Sequence, residues 1–412
     1  MKIALYNAKI YVERERFVEA VLVEDRKIKA IGTNEEILAT ADIDEKIDCE
    51  GKTVIPGLND SHMHIFNFGE RMCQVKIGDC ESIDEMIDRC KKYVEENPDS
   101  VKHGLYAQGW NQDYFTDSDR IPTRFDLDKI STEIPVVLER ICGHILTTNT
   151  KTIELLGIDA KSSQYPGGTF EIGEDGYPNG IFAENACNYA KNVIPKADIK
   201  QRKKMFIEAS EYAAEHGITT VQSNDLGTIV FDYPAYFKFF KDIYNSGEGI
   251  IRYRHQISFE TVEEFKDYIE NGEFKNGKYD EDSLIQLGPL KLFKDGSLGA
   301  RTALVRGGYK DDPTNNGIEW MSEEVMDEFC KVASDAGIQV ATHVIGDGAV
   351  EKTIDSYEKT FGQEGNKLRH TLVHCQITDK ALLERIAKLG IVVSYQPIFL
   401  DYDMHIVEKR CG

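Results

Sequence analysis

The sequence predicts an α/β chain in which strands and helices alternate, preceded by a small all-β part. Three observations predict it. From about residue 205 onward, helical stripes, two of them closed by a glycine, alternate with short apolar strands. Two of those strands end in a histidine, as expected where the C-terminal ends of parallel strands share one functional rim. Residues 1–53 carry hairpin grammar instead, with short β-rich runs bounded by turns. A length of 412 residues suits two or three units, or one barrel with additions.

The N-terminal elements come first. Lys2 to Val12 is rich in Ile, Leu, Tyr and Val. Ala20-Val21-Leu22-Val23 leads into the turn Glu24-Asp25-Arg26, and Lys27-Ile28-Lys29-Ala30 alternates with period two up to Gly32. Val54-Ile55 then reads as a buried strand, and Pro56-Gly57 breaks regular pairing. His62 and His64 follow. In extended backbone, side chains at i and i+2 point to the same side, so two imidazoles can converge on one metal ion. A bare His-x-His is more often a pair of ordinary polar histidines. The apolar strand and Pro-Gly before it, and the histidines downstream, turn the reading toward metal.

Pro56-Gly57-Leu58-x-Asp60-x-His62-x-His64 resembles the first barrel strand of the amidohydrolase superfamily. Further residues narrow the resemblance to the amidohydrolase-3 (YtcJ-like) branch, and it runs from the N-terminus almost to the last residue. It implies a TIM-like (β/α)8 barrel, one or two divalent metal ions, zinc foremost, and hydrolysis of a C–N bond in a small-molecule, non-peptide amide, linear or cyclic. Residues 1–53 would then be part of a small β-sandwich that C-terminal strands complete. The first barrel strand is expected at Thr53–Leu58 with the His-x-His at its C-terminal end, and residues 54–64 form the corresponding segment.

Residues 65–215 read as an inserted α+β subdomain, because structureless loops of that length are uncommon. Ser82-x-x-Glu85 is a capping box ahead of a stripe of Ile83, Met86, Ile87, Cys90 and Val94. Leu105-Tyr106-Ala107 and Pro135-Val136-Val137-Leu138 read as strands. Gly109-Trp110-Asn111, Arg140-x-x-Gly143-His144 and Gly180-Ile181-Phe182-x-Glu184 are similar to recurring patterns of the branch. The resemblance makes Trp110, Arg140, His144 and Glu184 a lid or wall over the metal pocket, where a planar Arg fork suits a carboxylate or carbonyl. The structural alternative is Trp110 as core, Arg140 and Glu184 as solvated or paired charges, and His144 as a turn residue.

Residues 216–412 carry the rest of the barrel. Ile218–Val221 is the second strand, Ile250–Arg254 the third and Leu284–Phe293 the fourth. Lys291, Phe293 and Asp295 share one side by alternation. Lys291 through Gly299 resembles a signature of the branch, in which a lysine on this strand can take up carbon dioxide as a metal-bridging carbamate; Lys291 is the candidate by position. A buried lysine beside cations loses its proton readily, and only the neutral amine reacts. The alternative pairs Lys291 with Asp295, itself a candidate for substrate contact. Ile338–His343 and Leu368–His374 are the fifth and sixth strands, and their terminal histidines join His62 and His64 as expected ligands. His370 reads as a packed histidine. Ile391–Pro397 is the seventh strand.

The eighth strand, whose aspartate the superfamily uses for metal and proton, is missing from the pattern. Asp401 and Asp403 come too soon after the seventh strand. The chain therefore reads as C-terminally truncated relative to the resemblance, with no catalytic aspartate. That leaves open a non-catalytic relic or interaction module, or ester or phosphotriester chemistry at the same site. An unclosed barrel exposes two strand edges, which favours aggregation or pairing with another chain, a homo-oligomer included. A formal charge of −22 provides no basic stripe for nucleic acid and no attraction to an anionic membrane. The nine cysteines are odd in number and include no Cys-x-x-Cys, which suits a reduced cytoplasm. No secretory leader or spanning segment is visible.

Overall fold

A computed structural model describes residues 1–116, 118, 120–141, 145–166, 168–225, 233–272, 283–362 and 365–412. The N-terminal part forms two small sheets from strands β1 (Lys2–Tyr6), β2 (Lys9–Glu13), β3 (Arg16–Val18), β4 (Ala20–Glu24), β5 (Lys27–Gly32), β6 (Glu45–Asp48) and β7 (Thr53–Val54). Their orders are β5-β4-β1-β6 and β3-β2-β7. Ala4, Ala20, Leu22 and Ile37 make the core under the larger sheet.

One sequence expectation is corrected here. The apolar pair Val54-Ile55 does not open the barrel. Thr53 and Val54 pair with Lys9 and Ile10 in the three-stranded sheet, and Ile55 is exposed. The first barrel strand is β8 (Leu58–Met63), which starts where the Leu58 amide meets the Gly217 carbonyl. Pro56 has no amide hydrogen to donate, so the chain changes sheets across Pro56-Gly57. A short apolar run marks a strand but not the sheet that it joins.

The insertion holds strands β9 (Leu105–Trp110), β10 (Val136–Arg140), β11 (Ile145–Thr148), β12 (Gly168–Ile172) and β13 (Pro178–Glu184) in the order β12-β13-β11-β10-β9. β10 is buried on both faces. Val136 and Leu138 pack with Trp110 and the helix Ile83–Glu96, while Val137 packs with Phe170, Phe182 and Ala190. That explains its uninterrupted apolar run. Ser82 caps the helix by accepting from the Glu85 amide, but the Glu85 carboxylate takes the Glu81 amide instead of closing the box.

The larger unit is a sheet of seven parallel strands. After β8 come β14 (Ile218–Ser223), β15 (Arg252–Ile257), β16 (Ile285–Phe293), β17 (Val340–Val344), β18 (Thr371–His374) and β19 (Val392–Ser394). Neighbours in the sheet follow the chain, β8 to β19, and all pairs are parallel. The helices between strands bury an aromatic-rich layer against the sheet's outer face, including Phe206, Tyr236, Phe240, Tyr253, Phe265 and Phe329. The box Thr261-x-x-Glu264 is complete, with both reciprocal bonds formed.

Among the described residues no backbone ladder joins β19 to β8. Side chains span the seam: Ser394 Oγ lies 3.3 Å from Ser61 Oγ, and Gln396 Nε2 donates to the His62 carbonyl at 3.3 Å. The result is a nearly closed barrel whose interior retains a polar cavity of about 610 Å3, lined in part by Ser61, Arg254, Gln256 and Gln339. Asp401 and Asp403 lie on a terminal helix, Phe399–Cys411. Its Ile406 and Val407 pack on Leu298, Ala303 and Tyr309, and the Lys310 amide donates to its Arg410 carbonyl. Among the described residues no helix is long and apolar enough to cross a membrane.

Candidate metal centre

The C-terminal ends of the barrel strands bring four histidines and one lysine together. His62 is on β8, and His64 precedes the helix Ile65–Met72 directly. His343 lies near the end of β17 and His374 ends β18. Ring centroids are 5.3 Å apart for His62 and His64, 5.1 Å for His62 and His374, and 4.7 Å for His343 and His374.

His374 reaches this cluster against strand alternation. Its register partner is Val344 and its near neighbour on that face is Leu372, both in the core between sheet and helices. Alternation alone would send His374 outward with them. His374 and Cys375 instead adopt φ of 72° and 49°. This left-handed backbone is unusual for residues with a Cβ, and it turns the imidazole onto the rim. His370, of the same parity, stays outside. Its Nδ1 accepts from the Val340 amide at 3.0 Å, and its Nε2 donates to Ser334 Oγ at 3.1 Å.

Hydrogen bonds assign the protons of three of the four rings. His64 Nδ1 sits 2.7 Å from the Asn224 carbonyl, and His343 Nε2 is 2.9 Å from the Gly296 carbonyl. A carbonyl only accepts, so these nitrogens carry the hydrogens. His62 Nδ1 is 2.9 Å from Gln256 Oε1. That amide is oriented by its Nε2 donating to the Ser61 carbonyl at 3.1 Å, so His62 is also the donor. Each ring is thus left with an available lone pair on its other nitrogen, the state in which imidazole binds a metal. His374 Nδ1 is buried without a partner.

Lys291 lies deeper, 1% exposed, and its Nζ has no hydrogen-bond partner. It stands 5.0 Å from the Phe293 ring centroid. Burial lowers its pKa to about 7. Burial also pushes His62 down to about 2, His374 to about 3 and His343 to about 4, with the Lys291 charge adding to each. At neutral pH these three rings are therefore uncharged, while Lys291 is divided between its charged and neutral forms. Among the described residues no three His, Cys, Asp or Glu groups converge closely enough to form a finished cage. The donor set nevertheless fits a borderline ion such as zinc, because the orphaned Lys291 Nζ and His374 Nδ1 are buried polar atoms that the protein itself leaves unsatisfied.

Asp295, Trp110 and Arg140 have their partners elsewhere. Asp295 is fully buried, and its carboxylate accepts from the backbone amides of Leu304, Ile345 and Gly346 at 2.8 to 2.9 Å. It therefore ties the loop after β16 to the end of β17 and has little left to offer a ligand, although its Oδ1 is 3.7 Å from His343 Nε2. Lys294, pointing the other way, pairs with Glu319 at 2.7 Å. Trp110 is fully buried in the insertion and donates to the Leu138 carbonyl. Arg140 is held by Asn111, Gln112 and Asp113. Glu184 ends β13 with φ of 55°. His144 lies outside the described residues.

Sequence reasoning missed Gln256 and Asn224. Asn224 Nδ2 also donates to the Gln256 carbonyl at 2.7 Å and to Ser258 Oγ at 3.0 Å, linking the supports of His62 and His64. Both residues are polar side chains at the C-terminal ends of adjacent strands, which is the signal that could have found them.

Residues 45–412 match the amidohydrolase family. The chain is 30% identical over 416 residues to YtcJ of Bacillus subtilis (strain 168), named as an amidohydrolase, spanning all of this chain and 76% of that protein. It is 24% identical over 407 residues to the N-substituted formamide deformylase of Arthrobacter pascens, spanning 95% of this chain and 71% of that enzyme. The crystal structure of an uncharacterized metal-dependent hydrolase from Pyrococcus furiosus aligns with a TM-score of 0.77 and 28% identity, over 100% of this chain and 80% of its own.

Proposed function

The chain belongs to the amidohydrolase family, and from that premise we propose that it hydrolyses a non-peptide amide C–N bond with one or two divalent metal ions, zinc foremost. The observation that carries the reading is the proton assignment at the rim. His62, His64 and His343 each have one ring nitrogen anchored to an acceptor, which leaves the other available. His374 completes the set of holding residues, and Lys291 is the candidate bridge.

A bound divalent ion supplies Lewis acidity, polarising a carbonyl and acidifying water. The chain's own residues set the conditions for that. Gln256 and the Asn224 carbonyl hold their imidazoles in one tautomer and one orientation. Burial keeps the His62, His343 and His374 rings neutral. With its pKa lowered to about 7, Lys291 has a substantial unprotonated fraction at neutral pH. Its amine nitrogen can add to carbon dioxide and release a proton, forming a carbamate that satisfies the otherwise orphaned atom. Arg140 and Glu184 are proposed as contacts on the insertion's side of the substrate.

The test is metal content by elemental analysis of the purified chain and of a His62→Ala/His64→Ala double variant, followed by a hydrolysis panel. One or two equivalents, lost in the variant, support the assignment; equal metal in both sinks it. N-substituted formamides head the amide panel because one relative bears that activity in its name. Esters and phosphotriesters are the comparators, and turnover confined to them would replace the amide reading.

A further inference from the structure

A cavity of about 610 Å3 lies between the barrel and the insertion and shares His64 with the histidine cluster. One wall is the helix Ile65–Met72. Asn67, Phe68 and Arg71 recur at helical spacing from His64 and line it together. The facing wall is Tyr106 and Gln108 of β9. Lys191 closes one side of it.

The charges of this cleft oppose those of the chain. Against a formal charge of −22, its lining holds three cations, Arg71, Lys191 and Lys196, and one carboxylate, Glu70. The charge of Lys191 is already matched. Its Nζ is 3.0 Å from buried Glu139, which also accepts from the Tyr106 hydroxyl, and this triplet fixes the wall. Arg71 differs. Its guanidinium reaches the neutral Gln108 Oε1 at 3.4 Å, and among the described residues no carboxylate pairs with it. Glu70, adjacent on the helix, lines the same cleft but is not paired with Arg71. The seven residue steps from His64 to Arg71 carry the backbone roughly 10 Å along the helix axis.

We propose that this cleft receives the far end of the substrate and that this end is anionic, so that the substrate is an amide bearing a carboxylate roughly 10 Å from the scissile carbonyl. The proposal rests on the amidohydrolase reading of the rim. Phe68 and Tyr106 suit an apolar spacer, and the Arg71 fork suits the carboxylate.

The experiment uses mono-N-methylamides of α,ω-dicarboxylic acids of increasing length, with methyl-ended counterparts of equal length. Binding to the zinc-loaded protein is measured by calorimetry, and turnover by methylamine release. The expected result is about tenfold tighter binding of the carboxylate member, equivalent to about 1.4 kcal/mol, greatest near the stated span and weakened by salt. Arg71→Gln should abolish that preference and Arg71→Lys should retain part of it. Arg71 is exposed, so both variants should fold. Equal binding of both series, or a preference that survives Arg71→Gln, overturns the proposal. A carboxylate preference without turnover of any amide would keep the cleft and sink the hydrolase reading. Turnover without the preference would do the reverse.

Discussion

Gln256 governs what His62 can do. Its amide oxygen fixes the ring hydrogen on Nδ1 and its amide nitrogen is itself fixed by Ser61. Replacing Gln256 with Leu should leave the fold in place and weaken metal affinity by about 10- to 100-fold, the usual cost of losing such a support. A chelator competition assay reads this, and an unchanged affinity would refute the proton assignment. Lys291 makes the opposite trade. Its buried amine has no hydrogen-bond partner among the protein's own atoms. Lys291→Met keeps the volume and removes the unsatisfied polar atom, so the metal-free variant should gain about 1–3 kcal/mol in urea unfolding while metal content falls. A loss of stability would mean that the lysine has a partner in solution. His374 shows how local the control is, since two left-handed residues decide which side of the sheet the imidazole occupies.

At the scale of elements, most strands of the barrel were legible from apolar runs followed by polar or histidine-bearing ends. Boundaries were less so. The sixth strand begins at Thr371, because His370 uses its ring to accept the Val340 amide. The first strand was placed too early, because Val54 satisfies the same local pattern while pairing in another sheet. Gly288 of β16 marks a close approach that no periodicity reveals. A Cβ there would lie 1.9 Å from the His255 carbonyl oxygen, next to a register shift between β15 and β16. Gly288→Ala must therefore displace backbone. It should cost about 1–3 kcal/mol, as overpacking does, and lower the unfolding midpoint in denaturant. A neutral outcome would show that the pair of strands can slide.

For the molecule as a whole, burial of histidines makes stability depend on pH. Folded-state values fall to about 2 for His62, about 3 for His255 and His374, and about 4 for His343 and His370. The unfolded value is near 6.5. Between these limits the unfolded chain binds more protons than the folded one, so stability is full above about pH 6.5 and is lost as the pH falls. Each such histidine contributes up to about 1.4 kcal/mol per pH unit in that window. The metal-free protein should therefore melt several degrees lower at about pH 5 than at about pH 7. A flat profile would mean that these rings are solvated. The sequence by itself determined the order of strands and helices and the histidines at their ends, because alternation of polarity is a property of neighbouring residues. Only the tertiary structure decided which nitrogen of each ring is free, that Lys291 stands alone, and that a cationic cleft opens beside His64. Those facts depend on groups far apart in the chain, as with Gln256 and His62, 194 residues from one another, or Asn224 and His64, 160 residues apart. No local pattern records which distant acceptor a folded sheet will bring to a given ring.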